Sequence, residues 1–119
     1  MVKSHKDLKV WEESMLLVKD VYEMTNSFPP DERFTLGQQM RRSAISIPSN
    51  IAEGAGRRGN KEWVRFIYIS LGSLSELETQ IDIAKMLGFI EENKIIIDRV
   101  TFIRIMATKL IASLDNSTT

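Results

Sequence analysis

The chain has 119 residues, no cysteine, one histidine, and 16 basic against 16 acidic side chains for a net charge of zero. That length supports one domain, whose core buries roughly two thirds of the unfolded surface. The composition excludes a disulfide scaffold, a thiolate metal site, and a protein that coats nucleic acid or membrane over its whole surface. His5 has only Asp7 close by in sequence, so no metal or cofactor is expected. The amino terminus lacks the apolar run of a signal peptide and no window reads as a membrane span, so the expectation is a cytoplasmic protein with no membrane partner.

The first predicted helix, residues 6–25, carries Leu8, Trp11, Met15, Val18 and Tyr22 at steps of three and four, the spacing of one apolar face. Pro29 and Pro30 stop it, and Phe28 is placed to plug the end of a bundle. Thr35 followed by Gln38 has the capping-box pattern that opens a second helix, residues 35–57. Its stripe of Leu36, Met40, Ala44, Ile47, Ile51 and Ala55 keeps phase through Pro48, which predicts a bend and not a break. Gly56 to Gly59 end it.

Asn60 is the expected cap of the third helix, residues 61–87, with Glu62 in its first turn where the helix dipole favours an acid. Its seam of Trp63, Ile67, Ser70, Leu74, Leu77, Ile81 and Ala84 repeats by four and three, and Gly88 caps it with Phe89 folding back. The fourth helix, residues 91–114, has the seam Ile96, Val100, Ile103, Ala107, Leu110 and Leu114. With no alternating period-two run, the economical architecture is all-α, an antiparallel up-down-up-down four-helix bundle.

The last helix is more apolar than one wet face allows. Phe102 and Ile105 fall off its seam, and Ile45 projects away from the stripe of the second helix; all three predict self-association. Gly72, Ser73 and Ser75 inside the third helix point to close helix approach, within or between subunits. The outward strip Arg42, Ser46, Ser49 and Glu53 suits a polar contact with a neighbouring helix or subunit.

Gly54-Ala55-Gly56-Arg57-Arg58-Gly59 has the letters of a dinucleotide fingerprint, but it follows a helix in a chain without strands, which removes the physical basis of that motif. No serine can be placed beside a base and supporting acid by spacing, and no enzymatic activity is expected. The basic residues are more informative. Arg57, Arg58, Lys61 and Arg65 gather at one end of the bundle, with Tyr68 on the same outer strip as Lys61 and Arg65, a pattern suited to RNA or DNA phosphates with an aromatic for stacking. A solvated, ion-paired helix end on a protein-interaction scaffold is the competing reading.

Asp7-Leu8-Lys9-Val10-Trp11, Phe28-Pro29, Gln39-Met40-Arg41-Arg42-Ser43-Ala44, Ile47-Pro48-Ser49-Asn50-Ile51-Ala52-Glu53-Gly54 and Gly72-Ser73-Leu74-Ser75-Glu76-Leu77-Glu78 together resemble the four-helix-bundle proteins encoded in intervening sequences of bacterial 23S ribosomal RNA genes. The resemblance implies short antiparallel bundles assembled as homopentamers, without enzymatic activity. It is similar also to the accessory variability protein of diversity-generating retroelements, which binds RNA and a reverse transcriptase. That relative is strongly basic, whereas this chain is neutral.

Overall fold

A computed structural model describes residues 4–116, and among them every regular element is helical. A 3-10 turn, His5–Asp7, precedes α1 (Lys9–Asn26), short α2 (Pro30–Arg33), α3 (Leu36–Ala55), α4 (Asn60–Met86) and α5 (Lys94–Asp115). The four long helices pack in chain order, α1 on α3, α3 on α4 and α4 on α5, and α5 closes on α1. The result is a rod of 49 × 24 × 20 Å.

The buried face of α1 is Val10, Ser14, Leu17, Val21 and Thr25, one residue round from the expected stripe. Met15 is 46% exposed and Tyr22 is also exposed, while Trp11 and Val18 lie at the margin of the core. The reason is that a helix can hide a hydroxyl by bonding it to the preceding turn. Ser14 Oγ donates to the Val10 carbonyl at 2.7 Å and Thr25 Oγ1 to that of Val21 at 2.8 Å, so both sit inside as if apolar. The helix also begins at Lys9, not residue 6, because the chain enters through the 3-10 turn.

Phe28 plugs the bundle end and packs against Phe89 with ring centroids 5.6 Å apart. The capping box at the start of α3 does not form. Thr35 Oγ1 turns back to Glu32 Oε1 at 3.1 Å, because α2 brings that carboxylate within reach. Arg41 instead ties the two chain segments together, donating to Thr25 Oγ1 at 2.7 Å and Asn26 Oδ1 at 2.9 Å with its guanidinium over the Tyr22 ring.

α3 runs through Pro48 as expected, with Met40, Ala44, Ile47 and Ile51 in the core. Ser70 Oγ on α4 donates to the Ile47 carbonyl at 2.8 Å, a buried cross-link between helices next to the proline. Gly54 is a point of tight contact between them. A Cβ there would lie 2.7 Å from Phe66 Cβ, 2.7 Å from Trp63 Cδ1 and 3.2 Å from Trp63 Cα. Gly59, not Asn60, caps α4, at φ 81°; Asn60 is the first helical residue and its side-chain amide reaches the Leu114 carbonyl at 3.3 Å.

The seams of α4 and α5 are largely as expected, except that α4 also buries Phe66 and Gln80 while Trp63 sits at the margin of the core, and α5 buries Ile111 while Leu110 and Leu114 pack against the core only partly buried. Gly88 takes φ 79° after α4, and the Phe89 amide donates back to the Ala84 carbonyl at 2.9 Å, the Schellman closure. α5 starts three residues later than expected, since Asn93 Oδ1 accepts from the Ile96 amide at 3.2 Å and so supplies the cap. Arg99 bonds Asp20, and Glu13 at 3.2 Å, which links α5 to α1. These hydrogen bonds keep its pKa raised even though burial opposes the charge.

Gly72 contrasts with Gly54, because nothing lies within 4 Å of where its Cβ would be, so no close approach uses it within this chain. Gly54→Ala is therefore expected to destabilise by about 2 kcal/mol through overpacking. Gly72→Ala is expected to stabilise the isolated fold by up to about 1 kcal/mol through helix propensity. Urea unfolding of the two variants against the parent checks both signs.

Candidate functional site

The turn from α3 to α4 gathers the four expected cations, because α3 ends at Gly56 and α4 opens one turn later. Two of them are already committed. Arg57 NH2 pairs with Glu53 Oε2 at 2.8 Å, and Arg65 Nε with Glu62 Oε2 at 3.2 Å. Both guanidiniums also lie over Phe66, 5.1 and 4.7 Å from the ring centroid, so the buried phenyl holds a cation pair apart from bulk solvent on one side. Arg58 and Lys61 form no ion pair with a described residue, and Tyr68 is 58% exposed on the strip that continues from Lys61 and Arg65. The cluster thus exists as a place, with about half its formal charge neutralised locally.

The hydrogen bond from Arg65, reinforced by the charges of Arg65, Arg57 and Lys61, holds the Glu62 pKa below its ordinary 4.5. A carboxylate with a depressed folded pKa adds stability that is present above its unfolded pKa and lost as pH falls through the folded value.

The residues expected to mediate assembly do not share one surface. Ile45 is 42% exposed and lines an apolar groove between α1 and α3 with Trp11, Met15, Val18, Pro48 and Ala52; Ser49 stands at its edge. Phe102 and Ile105, 40% and 47% exposed, lie on α5, a different element of the rod. Ser46 faces α4 instead of solvent, with its Oγ 2.8 Å from Ser73 Oγ and accepting from Asn50 Nδ2 at 2.9 Å. Glu53 is spent on Arg57 in the turn that follows its own helix, so it does not reach a neighbouring helix. Arg42 remains exposed, without an ion pair among the described residues.

The fingerprint letters fall at a helix end, with Gly54 buried against α4 and Gly56 as cap, and no phosphate loop is formed. Among the described residues no group of three or more His, Asp or Glu side chains is arranged to hold a metal ion, and His5 stacks edge-on against Trp11. Among the described residues no helix is long and apolar enough to cross a membrane.

The model of the 23S rRNA-intervening sequence protein family matches residues 6–107. This chain belongs to that family. The matched span takes in the whole of α1 to α4 and most of α5, including the Arg41 tie, the Gly54 contact and the basic turn. No curated protein matches the chain. Within the family frame, two features escaped the sequence reading: the Arg99 link, whose partners lie 79 and 86 residues away, and a polar groove between α3 and α4.

Glu62→Gln is expected to lower stability at neutral pH, with the deficit disappearing once pH falls below the ordinary carboxyl range, where the parent's Glu62 is protonated as well. Thermal unfolding of both proteins across acid pH checks the sign and the window.

Proposed function

We propose that this protein is a non-enzymatic subunit of a cytoplasmic homo-oligomeric ring. Each subunit would be an antiparallel up-down-up-down bundle, and the ring a pentamer as the resemblance implies, holding RNA or DNA at the basic turn. The observation that carries the assembly is the presence of two unlike apolar surfaces on one subunit, the α1–α3 groove around Ile45 and the α5 ridge of Phe102 and Ile105. Unlike surfaces that fit each other make a heterologous contact, and a heterologous contact closes into a ring when its rotation allows. The two surfaces lie on different helices of the rod, as a ring contact requires, and the resemblance supplies the count of five. Gly72 supports the same reading, since its missing side chain has no use inside the subunit.

Size exclusion with light scattering is expected to give a multiple of 13.6 kDa. Ile45→Asp and Phe102→Asp should each yield helical monomers. Mixing them should restore only a dimer, because each variant keeps the surface that the other lacks. A native monomer at micromolar concentration defeats the proposal.

For nucleic acid, support rests on Arg58 and Lys61, the cations left uncommitted, with Arg57, Arg65 and Tyr68 beside them. Binding to single-stranded RNA should fall steeply with salt, and Arg58→Ala with Lys61→Ala should reduce the slope of log K against log salt by about 1.4. Absence of binding at low salt to varied RNA and DNA rejects it. The pairing of Arg57 and Arg65 with acids favours a second reading, a scaffold for another protein with no nucleic-acid role. That reading predicts a partner recovered equally with and without nuclease.

A further inference from the structure

A second groove runs between α3 and α4, lined by Gln39, Arg42, Ser43, Ser46, Ser73, Glu76 and Gln80, with a volume of about 400 Å³. Every lining side chain is polar. Gln80 is only 7% exposed, yet its Oε1 is buried without a hydrogen-bond partner. An unpaired acceptor in such a place is destabilising, and a bound donor would remove that penalty.

The remaining hydrogen-bonding capacity of the groove can be counted. Glu76 Oε1 accepts from Ser43 Oγ at 3.1 Å, and its second oxygen has no partner among the described residues. Ser46 and Ser73 share one hydroxyl hydrogen between them at 2.8 Å, which leaves the other unspent in that pair. Arg42 has its whole guanidinium free of hydrogen bonds and ion pairs with described residues. The groove therefore offers a cation and a hydroxyl as donors beside a carboxylate oxygen as acceptor, with the unpaired Gln80 amide oxygen sealed behind its wall.

A ligand that satisfies this set must present an anionic acceptor and N–H donors a few ångströms apart. A polypeptide does so at any residue where a carboxylate lies beside main-chain amides. The walls contain no aromatic or apolar side chain, so a base or ring has nothing to stack on. From Gln39 to Ser46 the groove runs about 10 Å at 1.5 Å per residue, the span of three extended residues.

We propose that the α3–α4 groove binds a short acidic segment of a partner polypeptide, its carboxylate held by the Arg42 guanidinium and its amide N–H groups by the second Glu76 oxygen and, once the Gln80 amide turns outward from where its Oε1 is sealed, by Gln80 Oε1. This site is separate from the apolar surfaces and from the basic turn, and does not depend on either.

Nitrogen-detected NMR of the full chain tests it, following the Arg42 Nε–H and Gln80 side-chain resonances. The probes are three acetylated peptides at millimolar concentration: trialanine with a free terminal carboxylate, Ala-Asp-Ala amide, and neutral trialanine amide. The expected result is saturable shifts with one or both acidic peptides and none with the neutral one; which of the two acts identifies a chain end or a side chain as the carboxylate source. Arg42→Gln should abolish the response. Gln80→Met should also abolish it while raising the melting temperature, because the unpaired acceptor is gone. No saturable shift with either acid, or equal shifts with the neutral peptide, overturns the proposal. Shifts that appear on changing protein concentration without peptide would assign the groove to a second copy and likewise overturn it.

Discussion

The approach of α3 to α4 at Gly54 is the constraint from which most of the structure follows. With a hydrogen in place of a side chain, Phe66 and Trp63 seat directly on the α3 backbone. That contact sets the register in which Ser70 meets the Ile47 carbonyl and Ser46 meets Ser73 further along. It also places Phe66 at the end of the pair, where its ring carries the Arg57 and Arg65 guanidiniums. A single missing methyl thus positions the buried cross-link, the polar groove and the charged turn together.

Three arginines of this molecule fasten one helix to another. Arg41 holds the end of α1, Arg99 joins α5 to α1, and Arg104 joins α5 to α4 through Ser75 and Glu78. The charges of these arginines have specific tasks within the fold, which is why a neutral chain can still be rich in ions. Arg42, Arg58 and Lys61 stand apart from this pattern, and they lie on the surfaces where a partner would be met.

The helices were legible wherever the core is built from large apolar side chains. The seams of α4 and α5 are legible where the buried positions are large and apolar, whereas Gln80, a polar side chain buried on α4, is not. α1 was misread by one position, since Ser14 and Thr25 look polar in sequence and become apolar only once their hydroxyls bond to their own helix. The cap at Thr35 failed because a four-residue helix, invisible to periodicity, supplied a competing carboxylate. In the basic turn, the cations were legible and their partial neutralisation could have been, because Glu53 and Arg57 are four residues apart across the end of α3, and Glu62 and Arg65 three apart within α4. The groove around Gln80 could not, as it depends on the register between residues about thirty positions apart.

The helix pair with the closest fit is also the most local in sequence, since only Gly56 to Gly59 separate α3 from α4. Closing so short a connection costs little chain entropy, whereas docking α1 on α5 brings together the two ends of the described chain. The order of events implied is docking of α3 on α4 first and the α1–α5 seam last, with amide exchange slowest in the α3–α4 pair as its signature. The outer helices that carry Ile45's groove partners and Phe102 would then be the last to settle, so the surfaces suited to joining subunits come into being only as each subunit completes itself.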